Sequence, residues 1–125
     1  MILQNSLYSI KSKSVSDLEI RYDILLDASH FIYQAHFPGE PITPGVCVIQ
    51  IAKELMEDHL HQALTIKAVK NVKFLSVISP VDTCQVTFAF EKIVVDDTAK
   101  TYKAQVQVLS GETLLAKLSF VLKND

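Results

Sequence analysis

His36 opens the run His36-Phe37-Pro38-Gly39-Glu40-Pro41-Ile42-Thr43-Pro44-Gly45-Val46, and imidazole is the side chain whose ordinary pKa suits proton exchange near neutral pH. The chain contains three Gly and four Pro, and Pro38, Gly39, Pro41, Pro44 and Gly45 all fall inside this segment. Each proline fixes its own φ and pushes the preceding residue toward extended geometry, so the loop is stiff and holds His36 in place. Gly45 and Val46 open a helix, where the first N–H groups lack an intrahelical acceptor and sit at the positive end of the dipole. Such donors stabilise a carbonyl oxygen that gains negative charge, as a thioester oxygen does when the adjacent carbon loses a proton. On spacing alone, a tight loop-to-helix entry with His36 as a packing residue accounts for the same residue types.

The elements that must position these residues follow from hydrophobic period. Leu18, Ile20, Tyr22, Ile24 and Leu26 alternate with Glu19, Arg21 and Asp23, the pattern of a half-buried strand over 18–26. The stretch from Leu7 to Val15 alternates more weakly and reads as a shorter or edge strand. Three further runs alternate: Cys84 to Glu91, Lys103 to Val108 and Leu114 to Leu122. The turn residues Asp96-Asp97-Thr98 and Ser110-Gly111 between them predict an antiparallel meander. Residues 68–78 read as another strand, with an irregular alternation that admits a bulge, ended by Pro80. Between these strands the spacing predicts one helix from Gly45 to about His61, with Thr43 as cap and Pro44 at the first helical position. Val46, Cys47, Val48, Ile49, Ile51 and Ala52 surround its first turns, so its N-terminal half is expected to be enclosed and its C-terminal half to emerge into water. The resulting fold class is α+β: one long central helix wrapped by a curved antiparallel sheet of five to six strands, in a single domain over 1–125.

Composition narrows the function classes. The 125 residues, 49% of them hydrophobic, are enough for one packed core, and the formal net charge of -2 excludes wrapping of nucleic acid by counterion release. No apolar run reaches the roughly 20 residues of a bilayer span, and no secretion signal is visible, so a cytoplasmic location is expected. Cys47 and Cys84 have no spacing that suggests a metal cage or a disulfide framework, and no metal or organic cofactor is indicated. His59 and His61 point in different directions and are read as favourable partners of the helix C-terminus. His30 is given a structural or rim role. Lys67, Lys70 and Lys73 are read mainly as a solvated face, and as a candidate contact for an acidic protein.

The run HFPGEPITPGV resembles the His-Phe-Pro-Gly-x-Pro-x-x-Pro-Gly-Val signature of the 3-hydroxyacyl-carrier-protein dehydratases (FabZ-like), members of the hotdog-fold superfamily. The resemblance extends more weakly along the chain, including Phe74 to Asp82, and agrees with the wrapped-helix architecture. It implies that His36 is the base that takes the C2 proton of a 3-hydroxyacyl thioester, and that Gly45, with Val46, offers N–H groups to the thioester carbonyl. It further implies an acyl-carrier-protein-bound substrate and a homodimer or an assembly of dimers. The family places a carboxylate on the helix five residues after the glycine, and here that position is Gln50. An amide can orient a hydroxyl or a water but has no proton to supply near neutral pH. Gln50 is therefore expected to position the hydroxyl, with Glu54, one turn further on the same face, as the candidate substitute acid and Glu40 as a remaining one. Two other functions stay open: a hotdog acyl thioesterase, and a non-catalytic acyl-binding or partner subunit of a heteromeric dehydratase.

Overall fold

The computed structural model describes residues 2–35 and 39–124. Two strands, β1 (Tyr8–Val15) and β2 (Glu19–Leu26), lead into a single-turn helix α1 (Ile32–Ala35), and the principal helix α2 spans Gly45–Leu60. Four strands follow: β3 (Thr65–Phe74), β4 (Gln85–Asp96), β5 (Thr101–Ser110) and β6 (Thr113–Lys123). They form one six-stranded sheet in the order β1-β2-β4-β5-β6-β3, with every neighbouring pair antiparallel. This is the hotdog arrangement expected from the sequence, with β1 and β3 as the two edges.

The alternating patterns dictate which side of the sheet meets the helix. Ile20, Tyr22, Ile24 and Leu26 of β2, Phe88 and Phe90 of β4, Val106 and Val108 of β5, and Leu118, Phe120 and Leu122 of β6 are all buried in one cluster. Against them α2 packs Val48, Ile51, Ala52, Leu55 and Met56. The ring of Phe90 lies between Tyr22, edge-on with centroids 6.3 Å apart, and Phe120, stacked at 6.4 Å, so three strands are joined by one aromatic row. Register shifts in β1 between Ile10 and Ser12, in β3 between Ile66 and Ala68 and between Lys70 and Lys73, and in β4 between Glu91 and Val94 supply the local twist that bends the sheet around the helix. The β5–β6 hairpin turns at Gly111, whose φ of 59° favours glycine. The β4–β5 turn is held by the Asp96 carboxylate, which accepts from the N–H groups of Thr98 and Ala99.

Several expectations need correction. The strand read at 68–78 begins at Thr65 and ends at Phe74, because its two irregularities hide the period of 2. Leu18 and Cys84 lie outside their strands and are exposed. β4 continues beyond Glu91 to Asp96 through a bulge at which Lys92 takes a φ of 51°. Thr43 does not cap α2: its hydroxyl pairs with the Tyr33 hydroxyl at 3.0 Å, and the cap position is Pro44, which has no side-chain donor or acceptor. The burial of α2 follows the expectation for Cys47, Val48, Ile51 and Ala52, which are buried, and departs from it at two positions. Val46 in the first turn is 74% exposed, whereas Glu54 in the second half is fully buried. The N-terminal segment before β1 lies over the middle of the helix, a long-range contact that helical period alone does not reveal.

Candidate functional site

The start of α2 is set by Pro44, whose carbonyl accepts from the N–H groups of Cys47 and Val48. The N–H groups of Gly45 and Val46 find no acceptor among the described residues. A helix that begins without a side-chain cap keeps its first donors for another partner. Gly45 borders a cleft of about 470 Å³, walled by Ile42 to Gly45 on one side and by Phe74 to Ile78 on the other, and Val46 follows just outside that lining. The N–H of Thr43 donates to the carbonyl of Ile78 at 2.8 Å and ties the two walls together. Glycine at 45 has a steric reason: a Cβ there would stand 2.8 Å from Cζ of Phe74, whose ring lies against the helix entry. His36 falls outside the described residues.

Further along the helix, Val46, Gln50 and Glu54 share one face at four-residue spacing, and they pass from exposed through half-buried to fully buried. Gln50 Nε2 donates to Glu54 Oε2 at 2.8 Å. Gln50 does not line the 470 Å³ cleft, which Gly45 does. The Glu54 carboxylate also accepts from the N–H groups of Ile2 at 3.2 Å, Leu3 at 3.0 Å and Gln4 at 2.9 Å, and from the Tyr8 hydroxyl at 3.2 Å. Three successive backbone N–H groups converging on one anion form a concave nest. Glu54, named above as candidate substitute acid, is thus an internal anchor for the N-terminal segment, with no open side from which to hand a proton to a substrate. Glu40 is exposed, next to the undescribed residues.

Cys47, beside the helix start, is buried, and desolvation pushes its thiol above the ordinary value, which leaves it un-ionised and a poor nucleophile. His59 is half-buried, and desolvation followed by the nearby Lys13 charge lowers its pKa; it is a neutral packing group rather than a cation answering the helix dipole. His30 Nδ1 accepts from the Ile32 N–H at 3.1 Å, and its ring stacks on Phe31. Lys67, Lys70 and Lys73 are exposed along β3. Lys70 also rims, with Lys92 and Lys103, a shallow trough of about 310 Å³ that contains no His, Cys, Asp or Glu. Among the described residues, no group of three His, Cys, Asp or Glu converges as metal ligands. No described helix is long and apolar enough to cross a membrane.

The feature the sequence reading missed is the pairing of buried phenols with helix carboxylates: Tyr8 with Glu54, and Tyr22 with Asp58 at 2.7 Å. An aromatic at a core strand position carries no sign that its hydroxyl will meet an acid on the helix. Burial first, then the neighbouring carboxylate, holds both phenols well above their ordinary 10.0. The folded state therefore keeps these protons where the unfolded chain loses them. The stabilisation is fully present below pH 10.0 and falls as pH rises beyond it. Urea midpoints should stay level up to that pH and drop above it, and Tyr8→Phe with Tyr22→Phe should flatten the alkaline limb; an unchanged limb would contradict the assignment.

Comparison with known proteins bears on the family and the fold. A family model described as ApeI-like, ApeI dehydratase, matches residues 11–112. The chain is 27% identical over 99 residues to the 3-hydroxyacyl-[acyl-carrier-protein] dehydratase FabZ of Latilactobacillus sakei subsp. sakei, covering 74% of this chain and 69% of the relative. It is 32% identical over 78 residues to FabZ of Fusobacterium nucleatum subsp. nucleatum, covering 56% of this chain and 55% of the relative. Among solved structures, the dehydratase heterocomplex ApeI:P from Xenorhabdus doucetiae superposes with a TM-score of 0.68 at 15% identity, over 92% of this chain and 96% of that one. The (R)-hydratase from A. caviae involved in PHA biosynthesis superposes with a TM-score of 0.62 at 12% identity, over 91% and 100%. At such identities the structural likeness concerns the fold. The family match is of a different kind, since it runs through the loop, the whole of α2 and the strands β2 to β5, and on that ground the chain belongs to the ApeI-like dehydratase family.

Proposed function

We propose that the protein eliminates water from 3-hydroxyacyl thioesters carried on acyl carrier protein, giving the trans-2-enoyl thioester. The observation that supports this best is the uncapped start of α2, where the N–H groups of Gly45 and Val46 have no acceptor among the described residues and Gly45 lies at the edge of the apolar cleft. In this reading the two donors hold the thioester oxygen while His36 takes the proton from C2. The electron pair of that C–H bond becomes the C2–C3 double bond as the C3–O bond breaks. The proton now on His36 passes to the departing hydroxyl, which leaves as water. Gln50 holds that hydroxyl and supplies no proton.

The assembly belongs to the same proposal. The edge strand β3 has an unpaired side, and Val72, Phe74, Leu75 and Val77 along and beyond it are exposed. An apolar sheet edge of this kind calls for a partner, and a second copy of the chain is proposed to cover it. Lys67, Lys70 and Lys73 are the proposed contacts for the acidic carrier.

The test is mass spectrometry of a 3-hydroxyacyl carrier protein incubated with the purified protein. The expected product is lighter by one water. Release of free acid would indicate a thioesterase, and no turnover across a series of chain lengths would leave the non-catalytic partner subunit. Gln50→Glu is expected to raise the rate: the new carboxyl would lie against Glu54, and two like charges at that separation push one of the pair up toward a value useful for proton donation.

A further inference from the structure

Among the described residues Glu54 is the one charged side chain that is buried, yet no step of the proposed reaction uses it. We infer that it is a positioning residue: it fixes the Gln50 amide so that the oxygen, and not the NH2 group, is offered to whatever stands at C3 of the bound acyl chain. This rests on the site reading given above. A carboxylate oxygen that serves the amide can only accept, and an amide NH2 can only donate. Gln50 Nε2 lies 2.8 Å from Glu54 Oε2, so turning the amide over would set two oxygens against each other at hydrogen-bond distance.

The carboxylate is itself held in place. The N–H groups of Ile2, Leu3 and Gln4 and the hydroxyl of Tyr8 all address it, so it has no freedom to follow a rotating Gln50. The orienting chain therefore runs from the backbone of residues 2–4 through Glu54 to the Gln50 amide. The one hydrogen bond of the Gln50 side chain to the described residues runs through Nε2, and Oε1, across the amide from Glu54, receives no donor from them.

The consequence is specificity. An amide locked with its oxygen forward accepts from a hydroxyl and gains nothing from a carbonyl, because two acceptors face each other. The site should therefore prefer 3-hydroxyacyl over 3-oxoacyl chains, a difference of a single hydrogen-bond donor. A site built around such a donor rejects the analogue that lacks it. If the amide were free to turn, it would serve either group and the preference would collapse.

Two measurements test this on the intact protein. In 13C,15N-labelled wild type, a scalar coupling across the hydrogen bond between Gln50 Nε2 and the Glu54 carboxylate carbon is expected; its absence overturns the inference whatever the activity. Binding of 3-hydroxyalkyl and 3-oxoalkyl pantetheine thioethers, in which CH2 replaces the thioester carbonyl so that no reaction occurs, is expected to differ about tenfold or more in wild type. That ratio should fall toward unity in Glu54→Gln, which can present the wrong atom to Gln50, and in Gln50→Met, whose thioether is only a weak acceptor. Should Glu54→Gln fail to fold, Gln50→Met carries the binding arm. A ratio that survives in whichever variant folds overturns the inference. An observed coupling together with a protein that dehydrates nothing counts against the proposed reaction and leaves the orientation of Gln50 supported.

Discussion

Replacing His36 with alanine is expected to lower kcat/KM for dehydration by about a hundred- to ten-thousandfold, the range that a positioned acid-base group contributes. The effect should fall at the upper end because Gln50, where a carboxylate stands in the family signature, has no proton to share. In the proposed reaction His36 then both removes the C2 proton and returns it to the departing hydroxyl. Burial leaves the Cys47 thiol protonated, and Glu54 is committed to the N-terminal segment, so neither substitutes for the imidazole. The readout is steady-state turnover of a 3-hydroxyacyl carrier protein with KM and kcat resolved. Loss confined to KM would show that His36 only binds substrate, and an unchanged kcat/KM would remove it from the mechanism.

Glu54→Ala is expected to cost about 3–5 kcal/mol of stability, as the loss of one side of a buried charged network does. The substitution strands the N–H groups of Ile2, Leu3 and Gln4 and the hydroxyl of Tyr8 together, and a methyl group fills little of the vacated space. Each buried donor left without an acceptor costs about 1–3 kcal/mol. Water reaching the freed N-terminal segment keeps the total below the sum. For a domain of this size the melting temperature should fall on the order of 10 °C, read by thermal denaturation followed by circular dichroism. Proteolysis in the same variant should begin within the first residues, because their anchor is gone. A shift of a degree or two would mean that the segment packs independently of the carboxylate.

The contrast between His36 and Glu54 shows what is readable along a chain. Proline and glycine act on the backbone at their own positions, so the segment from Pro38 to Gly45 declares a stiff loop and a helix entry whatever surrounds it. Strict alternation likewise states which faces of β2, β5 and β6 are inward, and the structure buries those residues. Where local regularity breaks, legibility ends. The bulges in β3 and β4 shift the side-chain period by a residue, which concealed both the start of β3 and the end of β4.

Burial of α2 was decided in three dimensions for another reason. The residues that cover Glu54 come from the other end of the segment order, some fifty positions away, and no helical period records a contact of that range. Thr43 at a helix start reads as a cap, yet the Tyr33 hydroxyl that draws it away is placed by the fold. The sequence by itself determined the loop, the helix, the inward faces of the regular strands and the identity of Gln50. Only the tertiary structure decided that the acid next to Gln50 is an internal anchor, because the role of a carboxylate depends on the donors around it, and here those donors are brought by a distant stretch of backbone.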